Sequence, residues 1–208
     1  MSDARGGGLS GGALVSRSPL DERLAVGGRD GADGRRTLRL TEIHGTYLVQ
    51  VGTFPGGEAA VGDAVRAATG AGLPESSTEV AVAGPHRLYR IASDQVWIAT
   101  TRPQIVPALA HTVPPTAGTV TELSAARVRL AIEGSAAAEL LAQFVAIDLD
   151  AGAFPAGRFV LTGIHDAGVL LERIRPDRFE IRVLRSFAAA TWDVLVDAAL
   201  AYGYDAPA

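Results

Sequence analysis

From Leu38 onward the chain runs through one order of strands and helices twice, and this repetition constrains the fold more than any other feature of the sequence. In the first copy Tyr47-Leu48-Val49-Gln50-Val51 reads as a strand. Gly52 to Gly57 then turns into a helix whose Ala60, Val61, Ala64, Val65 and Ala68 share one face. Gly70 to Pro74 ends that helix, strands are expected over 79–83, 87–92 and 95–100, and a short segment over 103–110 closes the unit. Pro107 has no backbone donor, so the closing helix is short or starts near Val106. In the second copy 127–132 is a strand and Ser135 is placed to cap a helix over 136–144. Strands over 158–161, 169–174 and 179–184 lead into a helix over 187–202. There Phe187, Thr191, Val194, Leu195 and Ala198 fall on one face, and Gly203 stands as the stop. Leu88 corresponds to Leu171 and Ile98 to Ile181 at a constant offset of about 83 residues.

An α+β protein with mostly antiparallel sheets and two similar βαβ-rich lobes follows, spanning 37–113 and 119–204. Val113-Pro114-Pro115-Thr116-Ala117-Gly118 reads as the linker between them. With 48% hydrophobic residues the chain has enough apolar surface for a sizeable core. Residues 1–36 are different: Gly6-Gly7-Gly8, Gly11-Gly12 and Gly27-Gly28 interrupt a polar segment without sustained apolar period, which is expected to be a flexible tail. Two short clusters in it, Ala13-Leu14-Val15 and Leu24-Ala25-Val26, are its only apolar content of note.

Composition removes whole classes of chemistry. There is no Cys, which excludes disulfides, thiolate zinc sites and cysteine nucleophiles. All 19 basic residues are Arg, which excludes Schiff-base chemistry and a phosphate-loop lysine. A net charge of −4 gives no general attraction to nucleic acid or to anionic lipid. No apolar run approaches the ~20 residues of a membrane span and no signal-like start is visible, so a soluble cytoplasmic protein is expected.

The residues that could carry chemistry do not assemble into a motif. Gly52-Thr53-Phe54-Pro55-Gly56-Gly57 lies between a strand and a helix but lacks the spacing of a nucleotide loop, and an ordinary turn is the stronger reading. His44, His86, His111 and His165 occupy four separate segments and read as surface or loop residues. His165-Asp166 has no accompanying Gly-x-Ser-x-Gly elbow. Asp148 and Asp150 would share a face of an extended segment, although a solvent-facing strand end accounts for them as well. Arg127, Arg129, Arg173, Arg175 and Arg182 alternate with apolar neighbours, which places them on the outer face of a sheet with Val128, Leu130, Ile174, Ile181 and Val183 inward. Such a row suits carboxylates across a protein interface, and it suits water equally. No catalytic, cofactor-binding or metal-binding residue is assigned.

The second half carries a more specific signal. Leu123-Ser124-Ala125-Ala126-Arg127-Val128-Arg129-Leu130-Ala131-Ile132-Glu133-Gly134-Ser135 is followed by Asp148-Leu149, Phe154-Pro155-Ala156-Gly157 and Asp177-Arg178-Phe179. The run closes on Arg185-Ser186-Phe187-Ala188-Ala189-Ala190-Thr191-Trp192. This order resembles the gamma subunit of heterotetrameric sarcosine oxidase and, more distantly, the folate-binding aminomethyltransferase fold. The resemblance implies an assembly subunit without catalytic residues, in a complex that oxidatively demethylates sarcosine to glycine and passes the one-carbon unit to tetrahydrofolate. It implies FAD, FMN and NAD on the alpha and beta chains, zinc on delta, and the large alpha subunit as main contact. Folate-dependent relatives carry an acidic pair before a strand leading to an Asp-Arg-Tyr-like turn. Alignment on Asp177-Arg178-Phe179 puts Ala167-Gly168 at that pair, one position from Asp166. A stand-alone folate-binding one-carbon transferase, or an assembly module of another flavin dehydrogenase, are the alternatives. For the closing block, Phe187 is expected to anchor the fold, and Arg185 to find a carboxylate partner and serve as the recognition group for the large subunit.

Overall fold

The computed structural model describes residues 17–24 and 27–207. In chain order the elements are α1 (Asp21–Leu24), β1 (Leu38–Glu42), β2 (Tyr47–Thr53), α2 (Glu58–Thr69), β3 (Ala81–Ala83), β4 (His86–Ala92), β5 (Gln95–Thr100) and α3 (Ile105–Thr112). There follow β6 (Gly118–Glu122), β7 (Arg127–Glu133), α4 (Ala137–Ala142), β8 (Phe159–Ile164), β9 (Ala167–Arg175), β10 (Arg178–Leu184), α5 (Arg185–Ala199) and β11 (Tyr204–Asp205). They form a five-stranded sheet of order β3-β4-β5-β2-β6 and a six-stranded sheet of order β11-β1-β7-β10-β9-β8. Every pairing is antiparallel except the short β1–β11 contact.

The internal repeat has a geometric meaning. Leu88 pairs across β4 and β5 with Ile98, and Leu171 pairs across β9 and β10 with Ile181, so corresponding residues make the same cross-strand pair in each sheet. All four are fully buried beneath the helices of their own half. The lobes are not separate along the chain, however. Strand β1, which precedes the first copy, pairs with β7 in the six-stranded sheet, and β6, which precedes the second, pairs with β2 in the five-stranded sheet. Boundaries drawn at 37 and 119 therefore cut across the pairing, because the hydrogen-bond partners of these strands are non-local.

The amino-terminal expectation also needs correction. Leu20 is completely buried and Leu24 nearly so, both in the core beneath the six-stranded sheet, and Arg23 forms a bidentate pair with Asp193 on α5. Residues 27–36 follow the carboxyl-terminal strand: Arg29 and Tyr204 exchange backbone hydrogen bonds, and Gly31 N–H reaches Arg35 O. A Cβ at Gly203 would stand 1.9 Å from Arg35 O, and its φ of +68° also favours glycine, so this residue permits the close approach. The two buried leucines, the Arg23–Asp193 pair and the backbone bonds to Tyr204 contribute against the ordering entropy of this segment. Ala13-Leu14-Val15, Ala25 and Val26 lie outside the described residues.

The helices follow from their apolar faces. Val61, Ala64 and Val65 of α2 are buried, and Gly70, at φ +81°, donates its N–H to Arg66 O to close the helix. Pro107 falls in the first turn of α3, where its missing N–H has no intrahelical acceptor to lose. Ser135 is not the cap of α4; that position is Ala136, without a side-chain hydrogen bond. Helix α5 starts at Arg185 and buries Ala188, Thr191, Trp192, Leu195 and Ala199. Phe187 is 39% exposed, one step off that face, so it is not the folding anchor expected of it.

Candidate functional site

The face of the six-stranded sheet away from its helices is polar, and the five-stranded sheet covers part of it. Period-two alternation puts Arg127 and Arg129 of β7, Leu170 and Glu172 of β9, and Glu180 and Arg182 of β10 on this face. Leu48, Tyr89, Trp97 and Ala99 of the other sheet pack against it together with Phe159 and Leu170. Glu172 is fully buried; Tyr89 Oη donates to its Oε2 at 2.7 Å and Arg87 Nη2 donates to its Oε1. Burial pushes the Tyr89 hydroxyl well above its usual pKa, which keeps it a donor, and its ring meets Phe159 edge-on at 5.2 Å. Glu180 is also buried and accepts from Arg129 and Arg178; burial alone would raise its pKa, but these cations and Arg182 outweigh that and hold it below the ordinary carboxylate value.

Arg182 is the unusual member. It is 3% exposed, with its guanidinium 4.9 Å from the Tyr89 ring centroid. Its Nη1 lies 3.7 Å from Glu172 Oε2, and neither Nη1 nor Nη2 has a hydrogen-bond acceptor among the described residues. A cleft of about 280 Å³ reaches Arg182 and is bounded by the β1–β2 connection, the start of β2, residues 124–129, Arg185 and the 17–21 segment. Arg127, on its wall, stacks 4.2 Å over Trp97, which lines the neighbouring groove beside Gly168, and burial lowers the Arg127 pKa from the usual arginine value. The Arg185 side chain is exposed and donates to Arg17 O, and its backbone N–H donates to Ala126 O; no carboxylate pairs with it among the described residues.

The outward row of arginines is thus corrected. Alternation assigns Arg127, Arg129 and Arg182 to one face, but that face is an inter-sheet layer and Arg182 lies inside it. Arg173 occupies the opposite, helix-covered face, where it donates to the carbonyls of Leu149, Phe154 and Pro176 and lies 5.0 Å from the Phe179 ring centroid. Arg175, at the strand end, is exposed and pairs with Glu133, whereas Ile174 is only half-buried. The missed residues are Glu172, Tyr89, Arg87 and Glu180. A signal for them existed: Val169 to Ile174 is almost continuously apolar around Glu172-Arg173, as in a strand covered on both faces.

The other candidates do not converge. His44, His111 and His165 are exposed, while His86 is buried at the start of β4, its pKa lowered by burial and by Arg102. No group of three or more potential metal-ligating side chains occurs among the described residues. Asp148 accepts from the N–H of Asp150, and Asp150 from that of Gly152, so the pair builds consecutive turns instead of an acid–base couple. At Gly57 a Cβ would stand 2.1 Å from Ala117 O, so this glycine permits close packing of the 114–118 segment over the start of α2. Among the described residues no helix is long and apolar enough to cross a membrane.

Two stacked antiparallel sheets with helices on their outer faces define the class. The fold matches that of glycine cleavage system aminomethyltransferase T from Bartonella henselae, with a TM-score of 0.52 at 20% identity over 77% of this chain and 46% of that one. The sequence profile described as "Sarcosine oxidase, gamma subunit family" matches residues 55–201. Sarcosine oxidase subunit gamma from Corynebacterium sp. (strain U-96) is 31% identical over 186 residues, 88% of this chain and 90% of that protein. A chain of the heterotetrameric sarcosine oxidase from Corynebacterium sp. U-96, solved in complex with pyrrole 2-carboxylate, superposes with a TM-score of 0.80. That similarity carries 28% identity and covers 89% of this chain and 95% of that chain. The chain belongs to the sarcosine oxidase gamma subunit family.

The two residues at the position the aminomethyltransferase resemblance gives the acidic pair bear no carboxylate. Ala167 is buried and Gly168 bears no side chain, at the start of β9. The groove beside Gly168, lined by residues such as Trp97, Leu161, Thr162 and Leu184, contains no carboxylate among the described residues, and Asp166 sits in the exposed turn before it.

Proposed function

We propose that this chain is a non-catalytic, structural gamma subunit of a heterotetrameric sarcosine oxidase, which oxidatively demethylates sarcosine to glycine with one-carbon transfer to tetrahydrofolate. The observation that carries this reading is the extent of the similarity: 90% of the gamma-subunit relative and 95% of the superposed chain are covered, so the likeness is to a whole subunit. The buried acids of the inter-sheet layer are held by arginines and a tyrosine, an arrangement that fixes two sheets against each other and suits a structural role. The large alpha subunit is the main partner, with beta and delta completing the complex. FAD, FMN and NAD reside on alpha and beta, zinc on delta, and the assembly is cytoplasmic. No step of the reaction is assigned to this chain.

Affinity purification of the tagged chain from its native cell tests the reading. The expected outcome is stoichiometric recovery of three further chains with a flavin spectrum and sarcosine-dependent oxidase activity, while the chain expressed alone is colourless and inactive. Flavin bound to the isolated chain, or capture of a different flavin dehydrogenase, overturns it.

A further inference from the structure

We infer that the cleft between Arg127, Arg182 and Arg185 is a binding site for a carboxylate group. Three observations converge there. Arg182 is buried, lines the cleft and has two terminal nitrogens without a hydrogen-bond acceptor among the described residues. A buried guanidinium costs several kcal/mol to desolvate unless it is paired and hydrogen-bonded, and a single carboxylate contact at 3.7 Å supplies the charge without the hydrogen bonds. Arg127 stacks on Trp97 with no carboxylate within 4.0 Å, and the Arg185 side chain reaches only a backbone carbonyl, so two further arginines that line the cleft have no acidic partner among the described residues. Arginine presents its donors in a planar fork that matches the two oxygens of a carboxylate.

The acids of the cleft do not neutralise this set. Glu42 accepts from Ser18 Oγ at 2.5 Å and lies 3.7 Å from His44, and Asp21 makes no ion pair with these arginines. Arg129, also on the wall, is committed to Glu180. The volume of about 280 Å³ suits a small organic acid or one acidic side chain of a neighbouring subunit. Only the second of these sources rests on the assembly role proposed above.

Trp97 under Arg127 is a built-in reporter. Titrating the isolated chain with sodium succinate at constant ionic strength, with sodium chloride as reference, is expected to change tryptophan fluorescence saturably. Arg127→Gln removes a partly exposed donor and is expected to weaken that binding by at least about tenfold while circular dichroism stays unchanged. A partner's acidic side chain as the source predicts another pattern. Succinate then has no effect beyond chloride, yet the full complex assembled with Arg127→Gln or Arg185→Gln dissociates at least about tenfold more readily than wild type. The inference is overturned if succinate and chloride act alike and neither substitution alters the complex. Failure of the wild-type chain to enter any sarcosine oxidase complex counts against the assembly role, and the succinate titration then decides this inference alone.

Discussion

Replacing Glu172 with Gln tests whether the inter-sheet layer holds the fold through charge. The side chain is fully buried, accepts from Tyr89 and Arg87, and is the only carboxylate within 4.0 Å of Arg182 among the described residues. Gln keeps the shape and one acceptor oxygen but removes the charge. Arg87 has a 25% exposed side chain and can turn toward water, whereas the side chain of Arg182 is 4% exposed and cannot. Removing one partner of such a pair costs about 3–5 kcal/mol, which at about 2–4 °C per kcal/mol for a chain of this size lowers Tm by roughly 6–20 °C. The assay is urea unfolding followed by tryptophan fluorescence, with Glu172→Gln/Arg182→Met as control. That double variant removes both charges while the amide oxygen can still accept from Tyr89, and it is expected to be more stable than Glu172→Gln alone, since no buried guanidinium is left unpaired. A loss below about 1 kcal/mol for Glu172→Gln, or a double variant worse than the single one, refutes the charge argument.

Trp192→Ala, on the buried face of α5, is expected to cost about 3–5 kcal/mol and Phe187→Ala less than about 1, so equal shifts in denaturation midpoint would place the face wrongly. Leu20→Ala is expected to cost about 2–5 kcal/mol by the same assay, and an unchanged midpoint would mean that the 17–24 segment does not dock in solution. Glu180 titrates below its unfolded value, so its contribution is complete above the ordinary carboxylate pKa of about 4.3 and is lost as pH falls below that toward the folded value. The stability gap between wild type and Glu180→Gln should therefore narrow in acid, and a gap constant from about pH 6 to about pH 3 contradicts the assignment.

Much of the architecture is legible along the chain because it depends on local periodicity. The strands around Leu88, Ile98, Leu171 and Ile181, the apolar face of α2 and the stop at Gly70 all follow from residues within a few positions of one another. The order of segments from Leu123 to Trp192 also carries the family, which the profile match and the whole-length relative establish. Only the tertiary structure decides what depends on distant partners. Strands β1 and β6 join sheets on the far side of the repeat, and Leu20 becomes core by joining the cluster that holds Trp192 of α5 and Tyr204 of β11. Alternation places Arg127, Arg129 and Arg182 on one face, but it cannot say whether water or a second sheet covers that face. Here Tyr89 and Arg87, more than 80 residues away in sequence, meet Glu172 across the interface. They turn an apparently solvated row into a buried ionic layer, because a carboxylate deprived of water must find its donors wherever the fold brings them.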